Sequence, residues 1–150
     1  MKSNIFSRGF SLPELIISIA IITIVAGVAI SSYSSIRGVN DPQRAVYVYA
    51  NTLREASRKA RLMEYDSAWG VRLGSTSATL FSGATYATRV ASRDVSYDFS
   101  LSGPITASGQ TSDVVFLPLT GLSSTTGTTT FSNAIASSSV YLWTGGIIGY

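Results

Sequence analysis

Glu14 is the only charged residue in an apolar stretch of about 21 residues from Phe10 to Ile30, close to the roughly 20 a helix needs to cross a bilayer. A carboxylate at such depth costs on the order of 2.5 to 3.5 kcal/mol on insertion scales, so it calls for a partner or a function. Directly before it stand Gly9 and Phe10, behind a basic head holding Lys2 and Arg8. A secretory signal places its small-residue cleavage site after an apolar region of about 7 to 15 residues. Here the small residue comes first and the run is longer, so a cut at Gly9 leaves the hydrophobic helix on the mature chain.

Other chemistry is sparse. The 150 residues include no histidine and no cysteine. The usual general base, thiol nucleophile and zinc ligands are therefore missing, and the carboxylates are scattered, so the residues support neither an enzyme nor a cofactor or metal. Cations are more clustered, with six between Arg37 and Arg61. Arg44, Arg54, Arg58, Lys59 and Arg61 form a basic face that could contact phosphates, although such a face is more often solvated or paired with a neighbouring subunit.

The elements that must position these residues follow from periodicity. The first helix is expected to run through Tyr33 and Ile36 to Gly38, with Val39-Asn40-Asp41-Pro42 supplying a break and restart, Asp41 as N-cap and Pro42 as first helical residue. From Gln43 to Tyr65 a second, amphipathic helix places Val46, Tyr49, Leu53, Ala56, Ala60 and Met63 on one face and the cations opposite. Pro13 is tolerated in a first helical turn, where its missing N–H has no partner anyway. Beyond Ala68 the pattern shifts to short alternating runs bounded by Gly, Ser and Asp. Candidate strands are 68–73, 78–82, 85–91, 95–101, 113–117, 128–132, 139–143 and 147–150, joined as antiparallel hairpins.

The predicted class is thus α+β, a long N-terminal hydrophobic helix whose amphipathic second half packs on antiparallel sheet. Its parts are a leader over 1–9, a membrane or filament-core helix over 10–37, an amphipathic helix over 38–66 and a β domain over 67–150. Charged residues are 13%, about half the roughly 25% of ordinary domains, which suits an exported, membrane-tethered chain. The aromatics Tyr47, Tyr49, Trp69, Phe99, Phe116, Tyr141 and Trp143 could form a stacking platform for carbohydrate or nucleotide. Most are expected to pack the core instead.

The segment Arg8-Gly9-Phe10-Ser11-Leu12-Pro13-Glu14 resembles the type IV prepilin family, whose leaders end in Gly followed by Phe, a few apolar residues and Glu. The resemblance implies cleavage after Gly9 by a membrane-embedded prepilin peptidase, which then methylates the new amino terminus on Phe10. It also implies an assembly role for Glu14, whose carboxylate would meet a neighbouring subunit's terminal amine as helices bundle. Ile17, Ile21, Ile22, Ile24 and Val25 would supply lateral packing. A plain signal anchor, with Glu14 at the interface, is the competing reading.

A second resemblance rests on Leu53 to Arg61, Trp69-Gly70-Val71, Val114 to Gly121 and Gly145-Gly146, which together look like the GspH/FimT group of minor pilins and pseudopilins. It implies a non-enzymatic subunit of a type IV pilus or a type II secretion pseudopilus. The expected partners are the prepilin peptidase, other pilin subunits and an inner-membrane assembly platform. The expected location is the bacterial inner membrane, single-pass with the β domain outside the cytoplasm, then a surface pilus or periplasmic pseudopilus. A DNA- or surface-binding minor pilin is the alternative. DNA-uptake members of the group carry a C-terminal Gly-Arg-x-Arg motif, whereas Gly145 to Tyr150 contains no cation, so nucleic acid is not the expected partner.

Overall fold

The computed structural model describes residues 10–150 except 102, 110–112, 144 and 147, and only the backbone of 31, 32, 34 and 35. The chain divides into two compact units, Met1–Ile36 and Arg37–Tyr150. Helix α1 (Leu12–Arg61) contributes its first part to the former and its last part to the latter.

In the first unit the helix begins where Leu15 N–H donates to the carbonyl of Ser11. Pro13 falls in the opening turn, as its missing donor allows. Leu12–Ile30 is long and apolar enough to cross a membrane, with a mean hydropathy of 2.3. Its large apolar side chains are exposed all round the helix, the pattern of a segment made for lipid or for other helices.

In the second unit the expected break at Val39 to Pro42 is absent. Pro42 lies inside the helix, although proline lacks the N–H that would bond the carbonyl four residues back. That acceptor, the Gly38 carbonyl, receives Asn133 Nδ2 at 2.7 Å instead. A side chain reaching in from another part of the unit therefore supports the turn that the sequence reads as a stop.

The helix ends at Arg61, before the expected Tyr65, because the backbone turns left-handed at Met63 (φ 53°) and enters a 3-10 turn over Glu64–Asp66. Leu119 N–H, from a distant loop, donates to the Ala60 carbonyl at 3.0 Å and so satisfies one of the helix-end acceptors.

Among the described residues eight strands follow: β1 (Trp69–Leu73), β2 (Ser77–Ser82), β3 (Val95–Asp98), β4 (Thr106–Gly109), β5 (Val114–Phe116), β6 (Gly127–Ser132), β7 (Ser137–Leu142) and β8 (Ile148–Gly149). They form two four-stranded antiparallel sheets, ordered β3-β2-β1-β5 and β4-β6-β7-β8. The α+β class and the packing of the amphipathic helix on antiparallel sheet are as predicted. Val46, Tyr49, Leu53, Ala56 and Ala60 form one buried cluster with Trp69, Val71, Leu80 and Phe116 from the first sheet and Phe131, Val140 and Leu142 from the second.

Two strand assignments differ. The 85–91 segment is irregular. Its Tyr86 packs edge-on against Phe81 at 5.4 Å and lies between the guanidinium groups of Arg72 and Arg89, at 4.3 and 3.7 Å from its ring centre. Arg89 is itself held by Asp94 at 2.6 Å, so this loop is organised by side-chain contacts that no alternation records. Strand β4 was not predicted, because Thr-Ala-Ser-Gly carries too little apolar signal. It forms by pairing with β6, Ala107 opposite Phe131.

Candidate functional site

Gly9 lies outside the described residues, so only one side of the expected cleavage junction has a placement. Phe10 is 77% exposed, just ahead of the helix. Glu14 is exposed one turn in, its backbone carbonyl accepting the Ser18 hydroxyl at 2.8 Å. A helix start brings Phe10 and Glu14 close along the chain and leaves both open to other molecules.

The basic face separates into three settings. Lys59 is partly buried and paired, its ammonium 2.8 Å from Glu64 Oε1 and 4.6 Å from the centre of the Trp69 ring. Arg44 lines an open hollow with Arg37, Asn40, Asp41, Ser100 and Leu101. Arg54, Arg58 and Arg61 line a separate groove of about 350 Å³ with Ser57, Gly146 and Ile148. The helix stripe read from sequence is thus a three-arginine groove plus two cations with other surroundings.

Neutral contacts order that groove. Arg54 donates to Asn51 Oδ1 at 3.1 Å and to the Ile148 carbonyl at 3.4 Å, with its guanidinium 5.1 Å from the Tyr150 ring centre. Neutral acceptors leave its charge uncompensated, and no ion pair to Arg54, Arg58 or Arg61 occurs among the described residues. The groove therefore presents three guanidinium forks, whose geometry suits carboxylate or phosphate oxygens.

The four stretches of the second resemblance converge beside this groove. Trp69 of β1 stands opposite Phe116 of β5. The Ser57 hydroxyl donates to the Gly121 carbonyl at 2.9 Å. Gly121 has φ +62°, and a Cβ there would lie 2.8 Å from the Ser57 carbonyl oxygen. A Cβ on Gly146 would lie 2.8 Å from the Gly121 carbonyl oxygen, so the two glycines allow the β5–β6 loop and the C-terminal loop to close on the helix end.

Two tyrosines in the second unit have raised pKa values. Burial pushes Tyr49 up to about 12; a hydrogen bond with Thr129 opposes this and the charge of Asp113 adds to it. Tyr97 is raised chiefly by its hydroxyl's hydrogen bond to Glu55 Oε2, at 2.7 Å, with burial and the carboxylate's charge adding. Both hydroxyls are structural ties between helix and sheet. Among the described residues no three His, Cys, Asp or Glu side chains gather as a metal site.

The aromatics expected mainly as core divide. Tyr49, Trp69, Phe99 and Phe116 are buried, whereas Tyr47, Tyr141 and Trp143 are 50%, 45% and 54% exposed. Tyr47 packs edge-on against Tyr150 at 4.9 Å. Tyr141 and Trp143, candidates for a stacking platform but weighed towards the core, lie outside it, since alternation names two faces of a strand without saying which one the core takes.

Residues 6–30 match a family model described as the prokaryotic N-terminal methylation motif. The chain carries a type IV pilin-like prepilin signal at its N-terminus, and a motif of this type implies processing by a prepilin peptidase and assembly with other pilins. The motif includes the apolar helix Leu12–Ile30, and together they fit a membrane-anchored pilin-like precursor. Neither a curated protein nor a solved structure matches the chain.

Proposed function

We infer that the chain is a minor subunit of a type IV pilus or a type II secretion pseudopilus, of the GspH/FimT kind. The observation that carries this reading is the methylation motif over residues 6–30, whose part from Leu12 to Ile30 is a helix apolar on every side. Lys2 and Arg8 stay in the cytoplasm by the positive-inside rule, the helix crosses the inner membrane, and unit Arg37–Tyr150 emerges on the far side. Prepilin peptidase cuts after Gly9 and methylates Phe10. Glu14 then meets the terminal amine of a neighbouring subunit, replacing an unpaired charge in lipid with a paired one. Ile17, Ile21, Ile22, Ile24 and Val25 pack against other subunits during extraction into the filament, with an assembly platform in the same membrane.

Mass spectrometry of the mature chain tests the first step, with an N-terminal methylated Phe10 as the expected product. A chain still beginning at Met1, or cut elsewhere, overturns it.

The groove of Arg54, Arg58 and Arg61 favours a second reading, a subunit that also binds polyanions such as DNA. Full-length protein should then shift duplex DNA at moderate salt, and replacing all three arginines by Gln should abolish the shift. DNA binding by the triple variant equal to that of the parent removes this reading.

A further inference from the structure

The strands β4, β6, β7 and β8 contain no charged residue. Thr129, Phe131, Val140 and Leu142 alternate into the core, so their neighbours in β6 and β7 point the other way. On that outward face Thr128 stands opposite Tyr141, Thr130 opposite Ser139 and Ser132 opposite Ser137. The Thr130 and Ser139 hydroxyls are bonded at 2.9 Å, so the row is ordered across the strands.

Tyr141 and Trp143 close one end of this face. Their rings are inclined by 16° with centres 6.2 Å apart, and both are about half exposed. Gly149, paired with Tyr141 across β7–β8, leaves the space in which the Trp143 ring lies: a Cβ there would be 2.9 Å from it. The two aromatics are thereby held before any ligand arrives, which lowers the ordering cost of binding.

We propose that this outward face binds a neutral polysaccharide, with Tyr141 and Trp143 stacking on its sugar rings and the Thr130–Ser139 row bonding its hydroxyls. A pyranose presents a face of C–H groups rimmed by hydroxyls. Aromatic faces, which are partially negative, attract such C–H groups, and serine and threonine both donate and accept at the rim. A nucleic acid would want cations to meet its phosphates, and the guanidinium groove is lined by other residues. A docking helix would want branched aliphatics, and none alternates onto this face from β6 or β7. The inference concerns the Arg37–Tyr150 unit and holds whether or not the chain enters a filament.

The test uses the full-length chain in an amine-oxide detergent, avoiding glycoside detergents whose sugar heads would compete. Cellohexaose, chitohexaose and maltohexaose are titrated while tryptophan fluorescence is followed; Trp69 is buried, so a change reports on Trp143. The expected result is a saturable response to at least one sugar that survives added salt. Tyr141→Ala should weaken binding roughly tenfold. Trp143→Ala, followed by co-sedimentation with the matching insoluble polymer, should lose binding, and Trp143→Phe should retain most of it. Thr130→Val, which removes one outward hydroxyl and leaves the rings in place, should weaken binding severalfold and covers the case in which an aromatic variant misfolds. The proposal is overturned by no saturable response to any of the three sugars, by binding that salt abolishes, or by binding unchanged in Tyr141→Ala and Thr130→Val.

Discussion

Asn133 Nδ2 donates to the carbonyl oxygen of Gly38 at 2.7 Å, the acceptor that Pro42 leaves without its intrahelical donor. The same side chain's Oδ1 accepts the N–H groups of Ile135 and Ala136, both at 2.9 Å, so one amide closes the β6–β7 turn and repairs the helix. Asn133→Ala should cost about 1 to 2 kcal/mol, because a half-buried carbonyl and the turn both lose partners. In a Pro42→Ala background residue 42 regains its N–H. The cost of Asn133→Ala should then fall by about 1 kcal/mol, as read from a denaturation double-mutant cycle. Equal costs in both backgrounds would mean that Asn133 serves the turn alone.

Stability should decline in alkali through Tyr49. Its folded pKa of about 12 lies above the ordinary value of 10.0, so between these the folded state holds a proton that the unfolded state has released. The contribution is whole below pH 10 and is lost as pH rises towards 12, an effect of about 3 kcal/mol. Tyr49→Phe should flatten this limb of a stability-against-pH curve relative to the parent, while costing about 1 kcal/mol at neutral pH through the lost hydrogen bond with Thr129.

Two glycines should reject alanine for different reasons. At Gly70 a methyl group would enter the ring of Phe81, which is wholly buried. At Gly121 it would combine a left-handed backbone with a 2.8 Å approach to the Ser57 carbonyl oxygen. Each change should lower stability by about 1 to 3 kcal/mol in urea denaturation. Gly27→Ala, where nothing lies within 4 Å, should have no such cost.

Glu14→Val should separate assembly from folding. The Arg37–Tyr150 unit has its own core, so its circular dichroism and melting should stay within about 0.5 kcal/mol of the parent. Incorporation into filaments, read by immunoblot of sheared material, should fall sharply. Normal incorporation would end the pairing role proposed for this carboxylate.

Much of this fold is legible in the order of residues because local physics suffices for it. The run from Phe10 to Ile30 is too apolar for water, and the recurrence of Val46, Tyr49, Leu53, Ala56 and Ala60 marks the face that must be covered. Alternation placed β1, β2, β5, β6 and β7 within two residues of their observed ends. The junction at Gly9, Phe10 and Glu14 likewise stands in the sequence alone, since its chemistry depends on order along one segment.

Contacts between distant residues decided the rest. Pro42 continues a helix because Asn133, 91 positions later, supplies the missing donor. Strand β4 exists because β6 offers it a ladder, and the 85–91 loop lies over Phe81 because two arginines clasp Tyr86. Tyr141 faces outward because Val140 and Leu142 fill the helix-side core, leaving the opposite parity of β7 to solvent. Local propensity names the candidates for each position. Which hydrogen bonds are satisfied, and which face is buried, depends on residues that meet only once the chain has folded.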